Sequence, residues 1–277
     1  MRLYRPAAHG CARSHRAIPL SDDITYWKGT VCYDGTGFAG WQRQDNGVTV
    51  QGEIEAALSR IADRPVTIQG AGRTDAGVHA FGQAFNFEWQ GVPPERLRHA
   101  VSKMLEPRIR IVSLDPADPE FNARFSARWK RYRYAIDYAR EACPMAARYA
   151  WHVAFDLDLD LIERLLPQFE GTHDFAGFQS AGSQMKTTVR TVYRLRMQRG
   201  EGIVTPSGYA NLFSIDFEGD GFLYKMVRNI TGTLIEIGRG RFEPGFIQKA
   251  LASGGPFVGH CAPAQGLALM EVHYTER

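Results

Sequence analysis

Apolar residues recur along this chain with two different periods, and the alternation between them sketches a fold. Between Val50 and Ala62, the residues Ile54, Ala57, Leu58 and Ile61 follow the i, i+3, i+4, i+7 spacing of one buried helix face. Strand-like runs at Ile24–Tyr33 and Pro65–Ile68 flank that helix, and Ala84–Trp89 alternates as a further strand. Pro94 is placed to start a helix over Glu95–Leu105, and Arg110–Leu114 follows as a strand. The densest turn cluster, Asp115-Pro116 through Asp118-Pro119, then suggests a boundary. The second half runs through a similar order. It has a strand at Arg131–Tyr138, a helix at Asp160–Phe169, and strands at Thr188–Gln198 and Asn211–Phe217. A long helix over Phe222–Ile237 carries the stripe Met226, Ile230, Thr233, Leu234 and Ile237 and stops at Gly238 and Gly240. Phe246–Ala252 and a strand at Leu267–His273 complete the set. Two similar series of strands and helices predict an α+β fold with mixed antiparallel sheets. The expected division is a basic, disordered extension over 1–22, an N-terminal α+β domain over 23–117 and a C-terminal α+β domain over 118–277.

Composition narrows the class. The 277 residues suffice for a full core, and 44% hydrophobic with 23% charged content is ordinary for a soluble globular protein. With no run of eighteen apolar residues, no membrane span is expected. The net charge of +3 is misleading, because the first twenty residues hold Arg2, Arg5, Arg13 and Arg16 and no acid, which leaves −1 for the rest. A nucleic-acid surface must therefore be a local patch. That first segment lacks the apolar stretch of a secretory signal. Cys11, Cys32, Cys143 and Cys261 are scattered and form no CxxC pair, so neither a zinc site nor a disulfide framework is expected, and reduced thiols fit a cytoplasmic protein.

Two stretches concentrate chemistry. Residues 70–80 read Gly-Ala-Gly-Arg-Thr-Asp-Ala-Gly-Val-His-Ala, which sets the carboxylate of Asp75 at the apex of a glycine-rich loop two residues after Arg73. Glycine-rich Asp turns are also common as plain structure. The glycine spacing fits neither a phosphate loop nor a dinucleotide fingerprint. The second stretch holds Arg124, Arg128, Lys130, Arg131 and Arg133 within ten residues, free of acids and interleaved with Phe125, Trp129, Tyr132 and Tyr134. Cations for phosphates beside aromatic faces for unstacked bases suit single-stranded or distorted RNA. Lys186, Arg190, Lys225, Arg239 and Arg241 are candidates to extend the patch. His79 has no second His, Cys or acid at ligand spacing, so it reads as a hydrogen-bonded structural histidine and no metal is expected.

The run Gly72–Ala80 resembles the catalytic motif of the TruA family of tRNA pseudouridine synthases. Further segments match that family in order. They are Tyr33-Asp34-Gly35 with Phe38-Ala39-Gly40-Trp41-Gln42-Arg43-Gln44, then Phe121–Ala127 leading into Lys130-Arg131-Tyr132-Arg133-Tyr134, then Phe222–Ile230, and last Ala262-Pro263-Ala264-Gln265-Gly266-Leu267. The resemblance spans about Tyr26 to Tyr274. It departs from the family pattern at the N-terminal extension and at Thr205-Pro206-Ser207-Gly208.

The resemblance implies two ferredoxin-like halves whose sheets join around a central cleft, and an isomerase that needs no cofactor. Asp75 takes the place of the catalytic carboxylate, which can act by attack at C1′, addition to C6 or abstraction of the C2′ proton. Arg228 takes the place of its cationic partner. From the residues alone, a helix-surface cation near Glu236 is the other reading of Arg228. Tyr132 corresponds to the tyrosine that stacks on the target base and can take part in proton transfer, Leu267 to the apolar cover of the base pocket, and Arg73 to the arginine that helps expel the target nucleotide. From the residues alone, Tyr132 and Leu267 also read as core. Trp41, Gln42 and Arg43 fit either the tRNA entrance or, for Trp41, the core. The implied substrate is tRNA near positions 38–40 of the anticodon stem-loop, and the implied assembly is a homodimer in which each tRNA touches both subunits. Rival expectations are a related RNA pseudouridine synthase of other or broader uridine specificity, a non-catalytic RNA-binding factor, and a glycoside hydrolase, which would usually need a second carboxylate near Asp75.

Overall fold

One mixed sheet of ten strands runs through the computed structural model, which describes residues 23–182, 187–255 and 259–277. Its N-terminal half holds β1 (Ile24–Tyr33), β2 (Ile68–Gly70), β3 (His79–Gln90) and β4 (Ile109–Pro116), with helices α1 (Val50–Ala62) and α2 (Leu97–Leu105). The C-terminal half holds β5 (Trp129–Asp137), β6 (Trp151–His152), β7 (Gly171–Asp174), β8 (Val189–Arg199), β9 (Leu212–Gly219) and β10 (Leu267–His273). Its helices are α3 (Leu159–Leu165), α4 (Met226–Gly238) and α5 (Phe246–Ala252). The strand order is β4-β1-β3-β10-β5-β9-β8-β7, with β2 on β3 and β6 on β5. The last strand thus lies between the two halves and fuses them into the α+β architecture that the sequence pattern predicts.

The alternation of each strand decides which face meets the helices. Val31, Tyr33, Phe85 and Leu269 enter the core under α1 and α2, while Tyr134, Ile136, Ile215 and Phe217 enter the core that includes Ile230 and Leu234 of α4. Tyr132 opposes Leu269 in register and packs against both cores, so the two helix layers share one face of the sheet and Tyr132 stands between them. β10 pairs with β3 in parallel only at Ala268 and Leu269. Nearby, Ala71, Ala84 and Ala123 pack together with Val272. The catalytic-loop candidate starts there.

Sequence pattern places most elements within a few residues. Thr49 caps α1 by accepting the Gly52 N–H at 3.2 Å, and Asp63 ends it in the left-handed region at φ 53°. The predicted helix at Asp160–Phe169 is α3 continued by a 3-10 turn over Leu166–Phe169. Two starts are displaced, since β3 begins at His79 ahead of Ala84, and α4 begins late. Lys225 takes φ 60°, which breaks helical continuity, so α4 begins at Met226 and not at Phe222. Gly232 in α4 lies flush against the chain at His260, since a Cβ there would sit 1.7 Å from the His260 carbonyl oxygen. That contact brings the 260–266 segment alongside Arg228. The extension 1–22 and Lys186 lie outside the described residues.

Candidate active site

The loop from Ala71 to Val78 is held almost residue by residue. The Ala71 carbonyl accepts from Lys130 Nζ at 2.8 Å, and the Gly72 carbonyl accepts from Gln83 Nε2 at 2.8 Å. The Thr74 carbonyl accepts from the Trp41 N–H at 3.1 Å, its hydroxyl bonds the Tyr33 hydroxyl at 2.8 Å, and the Asp75 carbonyl accepts from the Val78 N–H at 3.1 Å. Trp41 is buried beneath the loop, so close that a Cβ on Gly70 would meet its Nε1 at 2.4 Å. Of the two readings of Trp41, the structure therefore has core packing. Gln42 bonds Gln51 at 2.8 Å and Arg43 pairs with Glu55 at 2.8 Å, which ties this segment to α1. Each such bond contributes about 1 kcal/mol net, and their sum restricts the loop to one backbone path.

That path brings Asp75 to Arg228. Arg228 Nη1 lies 2.9 Å from Asp75 Oδ2, with side-chain exposures of 13% and 23%. Arg228 Nε donates to the Ala262 carbonyl at 2.7 Å, while the Ala262 N–H returns a bond to the Arg228 carbonyl at 3.2 Å. The guanidinium is thus aimed from two sides, and a surface pairing with Glu236 is not formed. Glu236 instead meets Arg239 at 3.4 Å and Arg241 at 3.7 Å. An aspartate this sheltered keeps its charge most easily beside a fixed cation.

Tyr132 projects from β5 into the same region. Burial, and after it the negative charge of Asp75, push its phenol pKa upward, so the hydroxyl stays protonated. Phe222 lies edge-on to it, with ring centroids 5.3 Å apart. Tyr134, two residues on, is fully buried and donates to the Pro263 carbonyl at 2.7 Å, which makes it a core residue. Leu267 opposes Tyr134 in register and is buried in the core shared by Val78, Val227 and Ala262. Arg73 is exposed and has no side-chain partner among the described residues.

The basic stretch divides between the faces of the sheet. Arg131 and Arg133 point away from Tyr132, as strand alternation requires. Arg133 grips Asp216 with Nε–Oδ1 at 2.7 Å and Nη2–Oδ2 at 2.9 Å, and Arg131 reaches Asp216 at 3.2 Å and Glu271 at 2.6 Å. These two are committed to a sheltered ion-pair network. Arg124 and Arg128 are exposed, the latter 3.4 Å from the still more exposed carboxylate of Glu276. Lys130 shares the face of Tyr132 and is spent on the Ala71 carbonyl. Burial, then the charges of Arg124 and Arg190, lower its pKa to about 8. Arg190 is buried and its guanidinium donates to the Thr187 and Val189 carbonyls at 3.1 and 2.6 Å, with no carboxylate partner among the described residues.

His79 is structural in its contacts. Nδ1 accepts from the Gly35 N–H at 3.0 Å, which leaves Nε2–H to donate to the Arg148 carbonyl at 3.2 Å, and burial lowers its pKa. Tyr33, Gln83 and Lys130 are the loop's side-chain anchors, a role that the sequence pattern assigns to none of them, since Lys130 reads there as a cation of the RNA patch. Gln83 carried a signal, as a polar residue inside an apolar strand. A concavity of about 540 Å³ beside β2, lined by residues such as Arg64, Val66 and Glu88, contains none of the candidate residues. Among the described residues no cluster of His, Cys, Asp and Glu is suited to a metal ion, and no helix is long and apolar enough to cross a membrane.

Residues 30–126 and 166–275 match the family model described as tRNA pseudouridine synthase. The chain is 40% identical over 256 residues to tRNA pseudouridine synthase A of Streptococcus sanguinis (strain SK36), covering 91% of this chain and 100% of that protein. It is 41% identical over 244 residues to tRNA pseudouridine synthase A of Acetivibrio thermocellus, covering 87% and 96% respectively. A relative of the same description from Brevibacillus brevis is 40% identical over 247 residues, covering 88% and 97%.

Proposed function

This chain belongs to the tRNA pseudouridine synthase family, and we propose that it isomerises uridine in tRNA at a site formed by Asp75, Tyr132 and Arg228. The reaction breaks the uracil N1–C1′ bond and forms a C5–C1′ bond. The C5 hydrogen goes to solvent and N1 gains a proton, so neither redox nor energy input is required. The observation that carries the assignment is the 2.9 Å pairing of Asp75 with Arg228, 153 residues apart, on a loop tethered at successive carbonyls.

In this reading Arg228 keeps Asp75 anionic in a partly desolvated site, and the anion serves by attack at C1′, by addition to C6 or by abstraction of the C2′ proton. Tyr132, held as a neutral phenol, stacks on the target base. Leu267 closes the apolar wall of its pocket, which limits entry of water while the freed base turns. Arg73, unpaired on the rim, takes the place of the extruded nucleotide, a role suited to a planar cation that can stack and bind phosphate. Arg124 and Arg128 contribute phosphate contacts. The substrate positions are the uridines near 38–40 of the anticodon stem-loop, and the working assembly is a cytoplasmic homodimer in which each tRNA touches both subunits.

Mapping pseudouridine in tRNA from a deletion strain, with and without the restored gene, tests the reading. Loss and recovery at positions 38–40 are expected. Loss at other uridines would replace the positional assignment with a broader one, and an unchanged map would overturn the activity.

A further inference from the structure

Four aromatic residues are interleaved with the cations of the 124–134 stretch, and the structure leaves one of them largely presented to solvent. Tyr134 is core, Tyr132 belongs to the site, and Trp129 stacks on His273 with centroids 3.6 Å apart and planes within 4°. Phe125 is 75% exposed. It sits on a rigid turn. Asn122 Oδ1 accepts from the Arg124 and Phe125 N–H groups, both at 3.0 Å, and the Ser126 N–H donates to the Asn122 carbonyl at 2.9 Å. The turn is pinned to the sheet as well, because the Ala123 N–H donates to Asn86 Oδ1 at 2.8 Å and its carbonyl accepts from the Tyr274 hydroxyl at 3.0 Å. Asn122 Nδ2 meets Gln69 Oε1 at 3.0 Å, one residue before the segment that leads into the Asp75 loop.

A phenyl ring held in water by an ordered turn forgoes favourable burial, and the turn's hydrogen bonds prevent it from folding away. The Arg124 guanidinium lies 5.4 Å from the ring centroid, so a cation and an aromatic face are offered together. We propose that Phe125 is a stacking platform for one unstacked base of the RNA substrate, with Arg124 meeting the adjoining phosphate. The proposal rests on the synthase reading and adds a recognition element outside the Asp75 pocket. The neighbouring cations Arg124 and Arg128 favour a nucleic acid over an apolar protein surface as the occupant.

The test compares Phe125→Ala, Phe125→Leu and Phe125→Trp in the full chain, using a tRNA transcript carrying C5-tritiated uridine. Phe125→Ala should weaken tRNA binding about five- to 150-fold, raise KM accordingly and leave kcat at saturating tRNA within about twofold. Phe125→Trp should restore affinity, whereas Phe125→Leu, apolar but unable to stack, should not. The slope of log K against log salt should be unchanged for all three and shallower for Arg124→Ala. Binding by Phe125→Ala within about twofold of wild type overturns the platform, as does rescue by leucine equal to that by tryptophan. A smaller assembly by light scattering for Phe125→Ala would assign the ring to a contact between copies and also overturn it. Wild-type protein that releases tritium alongside a flat variant series refutes the platform alone, and failure of wild type to release tritium refutes the synthase reading beneath it.

Discussion

The Asp75–Arg228 pair invites a double-mutant cycle on unfolding free energy. The two groups are neither solvent-exposed nor fully desolvated, with 23% and 13% of their side chains exposed. Exposed pairs are worth about 0.2–1 kcal/mol, and breaking a buried pair costs about 3–5 kcal/mol. Intermediate shelter places the coupling at about 2 kcal/mol. Arg228→Met should cost more than this coupling, about 3 kcal/mol, because it also removes the 2.7 Å bond to the Ala262 carbonyl that aligns the 260–266 segment. Asp75→Asn should cost less than about 1 kcal/mol, since the amide oxygen can still accept from Arg228. In the double variant no anion is left without a counter-charge, so its loss should be about 2 kcal/mol smaller than the sum of the single losses. Urea denaturation of all four proteins at one pH and salt concentration measures this. Additivity within about 0.5 kcal/mol would refute the pairing as an energetic contact, whatever its geometry.

Four further outcomes rest on the contacts of the loop and the basic stretch. Asp75→Asn should lower the rate of tritium release at least about 10³-fold, about 4 kcal/mol of transition-state stabilisation, while tRNA affinity stays within a few-fold, and activity within about tenfold of wild type would remove Asp75 from the chemistry. Arg124→Ala and Arg128→Ala should each reduce the salt dependence of tRNA binding by somewhat under one unit of slope, and a wild-type slope in both would leave these cations without a phosphate. Arg133→Ala should leave that slope unchanged yet lower stability by about 2–4 kcal/mol, because it strips the buried Asp216 of a two-pronged partner, and the reverse pattern would place the RNA on the other face of the sheet. Lys130, with its pKa lowered from 10.5 to about 8, binds fewer protons folded than unfolded between those values, so wild-type stability should rise with pH across that window relative to Lys130→Met, and a flat difference would mean that Lys130 titrates normally.

Much of the fold was written in periodicity. α1, α5 and β10 have the boundaries expected from the sequence, α1 through its apolar spacing. β6 and β7 escaped because two and four residues are too few to display a period, and both depend on neighbours already in place. The late start of α4 has a local cause, the left-handed Lys225, which no apolar pattern reveals. The arrangement of strands was less accessible still. Nothing in Leu267–His273 indicates that the last strand lies between β3 and β5, since that choice depends on contacts between segments far apart in the chain.

The site divides along the same line. Asp75 and Arg73 were visible because they sit in an unusual loop, and unusual loops leave glycines in the sequence. From its neighbours alone Arg228 on α4 reads as a helix-surface cation, and only the family resemblance points it towards Asp75, which it meets at 2.9 Å. The basic stretch shows the opposite failure, in which five neighbouring cations read as one surface. Alternation sends Arg131 and Arg133 to one face and Lys130 to the other, where Lys130 holds the Ala71 carbonyl. Charge density alone therefore overstates an RNA surface built on a strand. What decides the role of each cation is whether an acid or a carbonyl waits on its side of the sheet. On that criterion Arg73, Arg124 and Arg128 are the cations that we propose for the substrate, because no buried acid or carbonyl holds them among the described residues, and they lie on loops where alternation does not apply.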